Sequence, residues 1–377
     1  MKYFLFTLFA LIQLNFEVEM KAQNINEDFL SDIIKEAAEK FKIPAIAVTI
    51  SNSDSITAKS IYGTRIYGNN EAVTWKDYFH IGSCSKSVLA VIAGKLIEQK
   101  KIKWNTKFFD VYPELKNDAN PEFYNITLED LFLCEAGILS YTTGMDLFPS
   151  IDAECTNPRY EFIKYLIKQK PASEKKENKF VHLYSNASYT MASAMLERIT
   201  EKTYEQLVES TFKELGLSVY IGWPNNINEN QPWGHLIADE NVTTFAPDNQ
   251  YELPFVLEPA GNLSMNPLDY ARYTQLHLQG LIGKNNYLKS ETYSYIHFSH
   301  ERFSIGVANG EMEGYKFSGF DGSAGTFFCR TILVPESKLT FSIMMNAGSG
   351  TGEMEAVNWL TMKIVKKYYN WWWKFWL

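Results

Sequence analysis

The run Val88 to Leu96 is apolar or glycine at every position but Lys95. A helix greasy on nearly all sides has no face to give to water, so it must run through the centre of a fold. The chain therefore has to wrap it, and the segments suited to that lie at both ends. Pro44-Ala-Ile-Ala-Val-Thr-Ile50 is rich in β-branched residues and reads as a strand, with a second at Ser60 to Arg65. Thr326 to Val334 and Leu339 to Asn346, joined by Pro335-Glu-Ser-Lys338, read as a hairpin. Asp32 to Phe41 has helical periodicity, and the corner Gly348-Ser-Gly-Thr-Gly352 leads into a last helix through Lys367. That corner lacks the Gly-Lys-Ser/Thr ending of a phosphate loop and reads as a strand-to-helix turn. Between the ends, residues 105–290 mix helices with loops rich in Asn, Pro and Asp. The expected fold is α/β (α+β): an antiparallel sheet from both termini, flanked by helices, with an inserted helical lobe. A cleft between the two lobes of one catalytic unit is the expected place for a site.

With 377 residues, 46% of them hydrophobic, the chain can bury a large core. Its net charge is -8, and its cationic clusters are short, such as Lys100, Lys101 and Lys103. No basic stripe is present, which excludes a nucleic-acid binder. Residues 1–23 read as a secretory signal peptide: Lys2, an apolar run from Tyr3 to Phe16, and Ala22 at the cleavage region. The protein is thus expected to be exported, periplasmic or extracellular. An N-terminal membrane anchor is the alternative, disfavoured because the run is shorter than the ~20 residues a span needs. Residues 24–370 are expected to form the domain. The aromatic tail, 371–377, would stack on the last helix or rest on a membrane interface, where tryptophan is enriched. Cys84, Cys134, Cys155 and Cys329 show no framework spacing, and no CxxC or HExxH pattern occurs. His297 and His300, three apart, read as surface histidines, so no metal or cofactor is expected.

Acyl transfer by serine needs a hydroxyl, a base in hydrogen-bond reach and donors for the developing oxyanion. Ser-x-x-Lys on a helix supplies the first two, because residues three apart share a face. The pattern occurs three times. Ser173 to Lys176 lies in a Glu- and Lys-rich run, and Ser210 to Lys213 sits among charged neighbours. Ser83-Cys-Ser-Lys86 alone follows Phe79-His-Ile-Gly82 and opens the buried helix, where the helix N-terminus favours negative charge. A lysine desolvated there loses affinity for its proton and can act as a base.

The stretch Phe79 to Ala90 resembles the nucleophile helix of the class C β-lactamase, penicillin-binding protein and D-alanyl-D-alanine carboxypeptidase superfamily. Tyr184-Ser-Asn186 is similar to that family's Tyr-x-Asn element; the other Tyr-x-Asn matches, at Tyr67 and Tyr368, lie outside the expected spacing. Ile126 to Leu131 leading to Gly137, and Pro259 to Ser264 followed by Asp269 to Thr274, also resemble family segments, over roughly residues 27–365. The resemblance implies that Ser83 attacks the carbonyl, Lys86 takes its proton, and Tyr184 serves the leaving group and the later water. Asn186 would hold the lysine and a substrate amide. The family's cationic triplet is replaced: Phe320-Asp-Gly322-Ser323 is the best alignment, with Phe317-Ser-Gly319 second. Phe320 would then stand as an apolar wall where a cation normally holds a carboxylate. Gly322 would back the site, and the backbone N–H groups of Ser83 and Ser323 would receive the oxyanion. The His-x-Ser-Gly turn of the family is also altered, to Cys134-Glu-Ala-Gly137.

Two functions follow. One is a monomeric serine hydrolase acting through an acyl-enzyme on a small-molecule or peptide amide or ester: a β-lactam, a D-alanyl peptide or an ester. The other is a catalytically weak sensor or binding relative, suggested by the lost cation. No Gly-x-Ser-x-Gly elbow supports an α/β-hydrolase.

Overall fold

A computed structural model describes residues 25–369 apart from 143–145, 147, 150, 152–154, 229, 239–240, 250–252, 313 and 349–351. The leader read in 1–23, the tail 371–377 and the middle of the Gly348–Gly352 corner lie outside the described residues.

Helix α1, Glu27–Phe41, begins where the Asn26 side chain accepts the Phe29 N–H, one turn and more before the expected start. Its buried residues, Leu30, Ile33, Ile34, Ala37 and Ala38, recur at three and four, so one stripe packs inward. Strands β1 (Ala45–Ser51) and β2 (Ile56–Gly63) follow, then the central helix α2 (Ser85–Glu98). The helical part includes α3 (Asn186–Thr200), α4 (Pro267–Leu281) and α5 (Ser290–Phe298). The chain then returns through β3 (Ala308–Met312), β4 (Tyr315–Ser323), β5 (Phe328–Val334) and β6 (Leu339–Met345), and ends in α6 (Gly352–Tyr369).

The six strands form one antiparallel sheet in the order β3-β4-β5-β6-β1-β2. Pairing β1 with β6 joins the two ends of the chain, as the strand-like runs at both termini require. Every residue of β1 and of β6 is buried, because both faces of the sheet are covered there. One core lies between the sheet and α1 with α6, and holds Ile34, Val48, Ile343 and Leu360. The other lies between the opposite face and the helical part, around Val88, Leu89, Tyr189 and Tyr273. Helix α2 is the centre of the second core: Ser85 through Gly94 and Leu96 are all buried.

The four cysteines are unpaired. Among the described residues no helix is long and apolar enough to cross a membrane, and no group of three His, Cys, Asp or Glu is placed to hold a metal. The reading of His297 as a surface residue is corrected. Its ring is fully buried, accepts at Nε2 from His277 Nδ1 at 2.8 Å, and donates from Nδ1 to Ser318 Oγ at 2.6 Å. The Ser318 hydroxyl donates on to Ala308 O, which fixes this direction. Burial holds both imidazoles well below the ordinary histidine range, so they pack as neutral rings between α4, α5 and β4.

Candidate active site

The turn Gly82–Cys84 precedes α2 and sets Ser83 at the helix entrance. Gly82 has φ +50, and a Cβ there would lie 2.7 Å from the backbone of Ser323. A Cβ on Gly322 would stand 1.9 Å from Ile81 O and 2.8 Å from Ser83 N. Two glycines facing each other thus let the end of β4 press directly against the nucleophile turn. The backbones of Ser83 and Ser323 meet across that contact.

Below the turn, His80 is fully buried and takes the Gly82 N–H on Nδ1 at 3.0 Å. Its proton therefore sits on Nε2, which faces Asn262 Oδ1 at 3.2 Å. Burial lowers its pKa to about 4, so the ring stays neutral, a fixed acceptor for the turn. Asn262 Nδ2 donates in turn to Glu258, whose other oxygen pairs with the buried Arg159.

Lys86 Nζ lies 3.0 Å from Ser83 Oγ, 2.8 Å from Asn186 Oδ1 and 2.7 Å from Ala260 O. The side chain is 1% exposed, and desolvation lowers its pKa to about 7. A neutral amine offers two N–H donors and one lone pair. Protonated, Lys86 donates to all three oxygens; neutral, with Asn186 and Ala260 holding its two N–H groups, it has its lone pair left for the Ser83 hydroxyl. From the other side, the Tyr184 O–H donates to Ser83 Oγ at 2.9 Å. Burial pushes that phenol well above its usual range, so Tyr184 remains a proton donor. Ser83 Oγ thus lies between the Tyr184 hydroxyl and Lys86 Nζ, and can pass its proton to Lys86 once that amine is neutral.

Tyr184 and Asn186 arrive from the segment entering α3. Ser185, rather than Asn186, caps the helix by accepting the Ser188 N–H. The altered turn at Cys134 holds this segment through its carbonyls: Leu183 N–H donates to Cys134 O at 2.9 Å, and the His182 ring bonds Leu133 O through Nδ1. Phe303 packs edge-on against the Tyr184 ring. Asn186 Nδ2 is engaged with Tyr141 O at 2.8 Å, on the same side as the cleft.

The cleft has a volume near 720 Å³ and is lined by Ser83, Asn186, Tyr141, Trp223, Leu257 and Ser323 among others. Phe320 is not on its wall. It sits on the face of β4 with Ser318 and Gly322, is 5% exposed, and packs edge-on against the His277 ring at 6.2 Å. The apolar residue expected to face a substrate is instead part of the core: it shares a face of β4 with Gly322, but two residues back along the strand, where the His277 ring of α4 covers it. The structure thus brings Ser83, Lys86, Tyr184, Asn186, Gly322 and Ser323 together and sets Phe320 behind them. The other Ser-x-x-Lys pairs lie elsewhere: Ser210 donates to Leu207 O within its own helix, and Lys176 faces Glu174.

Sequence reasoning missed two supports. Ala260 O is a backbone acceptor, which no side-chain pattern announces, although its segment was singled out. His80 stood inside the recognised stretch, but its role needs Asn262, 182 positions away.

This arrangement, on an antiparallel sheet covered by helices, is that of a serine hydrolase fold. The family model described as Beta-lactamase matches residues 30–366, and the chain belongs to that family. A "Beta-lactamase" of Providencia stuartii is 23% identical over 259 residues, 68% of this chain and 61% of that protein. "Protein flp" of Staphylococcus aureus (strain NCTC 8325 / PS 47) is 19% identical over 189 residues, 50% of this chain and 36% of that one. The match therefore spans less than two thirds of either relative. A solved class C beta-lactamase superposes with TM-score 0.70 at 16% identity, covering 90% of this chain and 95% of that one. The octameric penicillin-binding protein homologue from Pyrococcus abyssi gives TM-score 0.69 at 18% identity, over 90% and 78%. At these identities the two likenesses speak for the fold.

Proposed function

We propose that this chain hydrolyses an amide or ester through an acyl-enzyme on Ser83. The observation that carries the reading is the pair of hydrogen bonds at Ser83 Oγ, with Tyr184 on one side and a desolvated Lys86 on the other. Ser83 Oγ attacks the carbonyl carbon while its proton moves to the Lys86 lone pair. The oxyanion is received by the N–H groups of Ser83 and Ser323, close-packed through Gly82 and Gly322. Collapse breaks the bond to the leaving amine or alcohol, which takes a proton relayed from Lys86 through Tyr184. Water then attacks the acyl carbon and gives its proton back along the same path, releasing the acid and restoring Ser83.

A fluorophosphonate probe tests this, because it phosphonylates activated serines, with loss of fluoride, without needing the right substrate. Intact mass should show one adduct on Ser83 and none in Ser83→Ala; an adduct that persists in the variant defeats the assignment. The second reading, a sensor or binding relative, is favoured by the missing cation at position 320. It predicts a stable adduct with no turnover of any ester. Export belongs to the proposal through the leader in 1–23, and N-terminal sequencing of the exported protein should begin at Gln23 or Asn24. Retention of Tyr3 to Phe16 would favour the anchor. The working form is proposed to be a monomer, checked by light scattering.

A further inference from the structure

The cleft at Ser83 extends well beyond the atoms that react. A volume near 720 Å³ suits a whole small molecule, and Ser83, Asn186 and Ser323 are a small part of its lining. Much of the rest is apolar: Phe148, Leu236, Phe245, Leu253, Pro254 and Leu257. All of these but Leu257 are only half-buried, so the cleft keeps apolar surface open to a ligand. Outside the reacting residues, the polar side chains among the described lining are Thr142, Asp146 and Thr326.

Leu236 and Phe245 belong to a hairpin, Gly234–Ala238 with Asn241–Phe245. Its register pairs Gly234 with Phe245 and Leu236 with Thr243, so Leu236 and Phe245 project from one face. The opposite face is fixed to the body of the fold. His235 accepts the Tyr67 N–H on Nε2 at 3.1 Å, which leaves Nδ1 to donate to Asn346 O at 2.8 Å. Ile237, two residues on, is buried in the core beside α1 and α6. The hairpin is also seated on the strand wall: His235 N–H donates to Thr326 O, and a Cβ on Gly234 would lie 2.1 Å from Thr326 Oγ1. Thr326 follows three residues after Ser323, so the apolar face is held at a set place relative to the oxyanion donors. Tyr184, which serves the leaving group on the proposed mechanism, is not among the residues lining this cavity. The leaving group then departs toward Tyr184, and the cavity is left to the acyl portion.

We propose that this cavity receives the acyl portion of the substrate and selects apolar acyl chains, with Leu236 and Phe245 of the hairpin as specificity-determining residues. This rests on the hydrolase reading. The test compares the p-nitrophenyl esters of acetic, butanoic and hexanoic acid, which share a leaving group and differ only in apolar length. Burying each added methylene should raise kcat/KM by about fourfold. In Leu236→Ser and Phe245→Ser the ratio of hexanoate to acetate should each time fall by about fourfold or more, the worth of at least one buried methylene. A series that rises by less than about twofold per methylene, with Ser83 still labelled by the fluorophosphonate, overturns the acyl pocket alone. So does a hexanoate-to-acetate ratio that neither serine variant moves. Absence of the label on Ser83 overturns the hydrolase reading and the acyl pocket with it.

Discussion

The two walls that meet at Ser83 are built on different principles. The helical wall presents side chains: Lys86 and Asn186 from α2 and α3, and Tyr184 just before α3, all cross-bonded to the nucleophile or to each other. The strand wall, at the end of β4, presents main chain, since Gly322 has no side chain and Phe320 is turned into the core. On the proposed mechanism, proton transfer depends on three particular side chains. Oxyanion binding would depend on how closely two backbones approach, and would tolerate the loss of the family's cation. Chemistry and carboxylate recognition, which the intact triplet would combine, would then be separable.

That contrast is broken most severely at Gly322. In Gly322→Ala the new Cβ would sit 1.9 Å from Ile81 O, so β4 must move away from the turn. We expect fluorophosphonate labelling to slow by on the order of 10²–10³, the cost of a lost oxyanion donor. Circular dichroism would check that the protein is folded. A folded variant labelled at the wild-type rate would mean that the strand wall plays no part. On the helical wall, Lys86→Ala and Tyr184→Phe should each lower kcat by about a hundredfold, as expected for lost acid–base steps. Ester turnover close to wild type in either would show that its role is misassigned. Phe320→Leu should do least. It trims a core ring against His277, so a stability loss of about 1 kcal/mol is expected by urea unfolding, with kcat/KM within about threefold. A large change in kcat/KM at unchanged stability would place Phe320 in the cleft after all.

The helical wall was legible in the sequence because its signals are local. Ser83 and Lys86 lie three apart at the mouth of a helix whose apolar run announces burial. Tyr184-x-Asn186 runs into the start of a second helix. The sheet was legible for the same reason in β1, β5 and β6, which are apolar and β-branched along their length. The strand wall was not. Phe320 shares its face of β4 with Gly322, and what removes it from the cleft is the His277 ring of α4, a cover that nothing within β4 encodes. His297 was misread because a polar residue on a short mixed helix gives no hint that α4 supplies a partner imidazole. The hairpin Gly234–Ala238 with Asn241–Phe245 went unseen, since its Thr, Asn and Asp residues read as loop.

The central claim is that a neutral Lys86 takes the proton of Ser83, and the pH dependence of Ser83 phosphonylation reads it directly. Burial depresses the lysine pKa to about 7, so the active, unprotonated form is lost as pH falls below that value. The second-order rate of fluorophosphonate labelling should therefore rise through a midpoint near pH 7, level off above it, and lose this limb in Lys86→Ala. A midpoint near 10, where an ordinary lysine titrates, or a limb that survives in Lys86→Ala, would contradict the account.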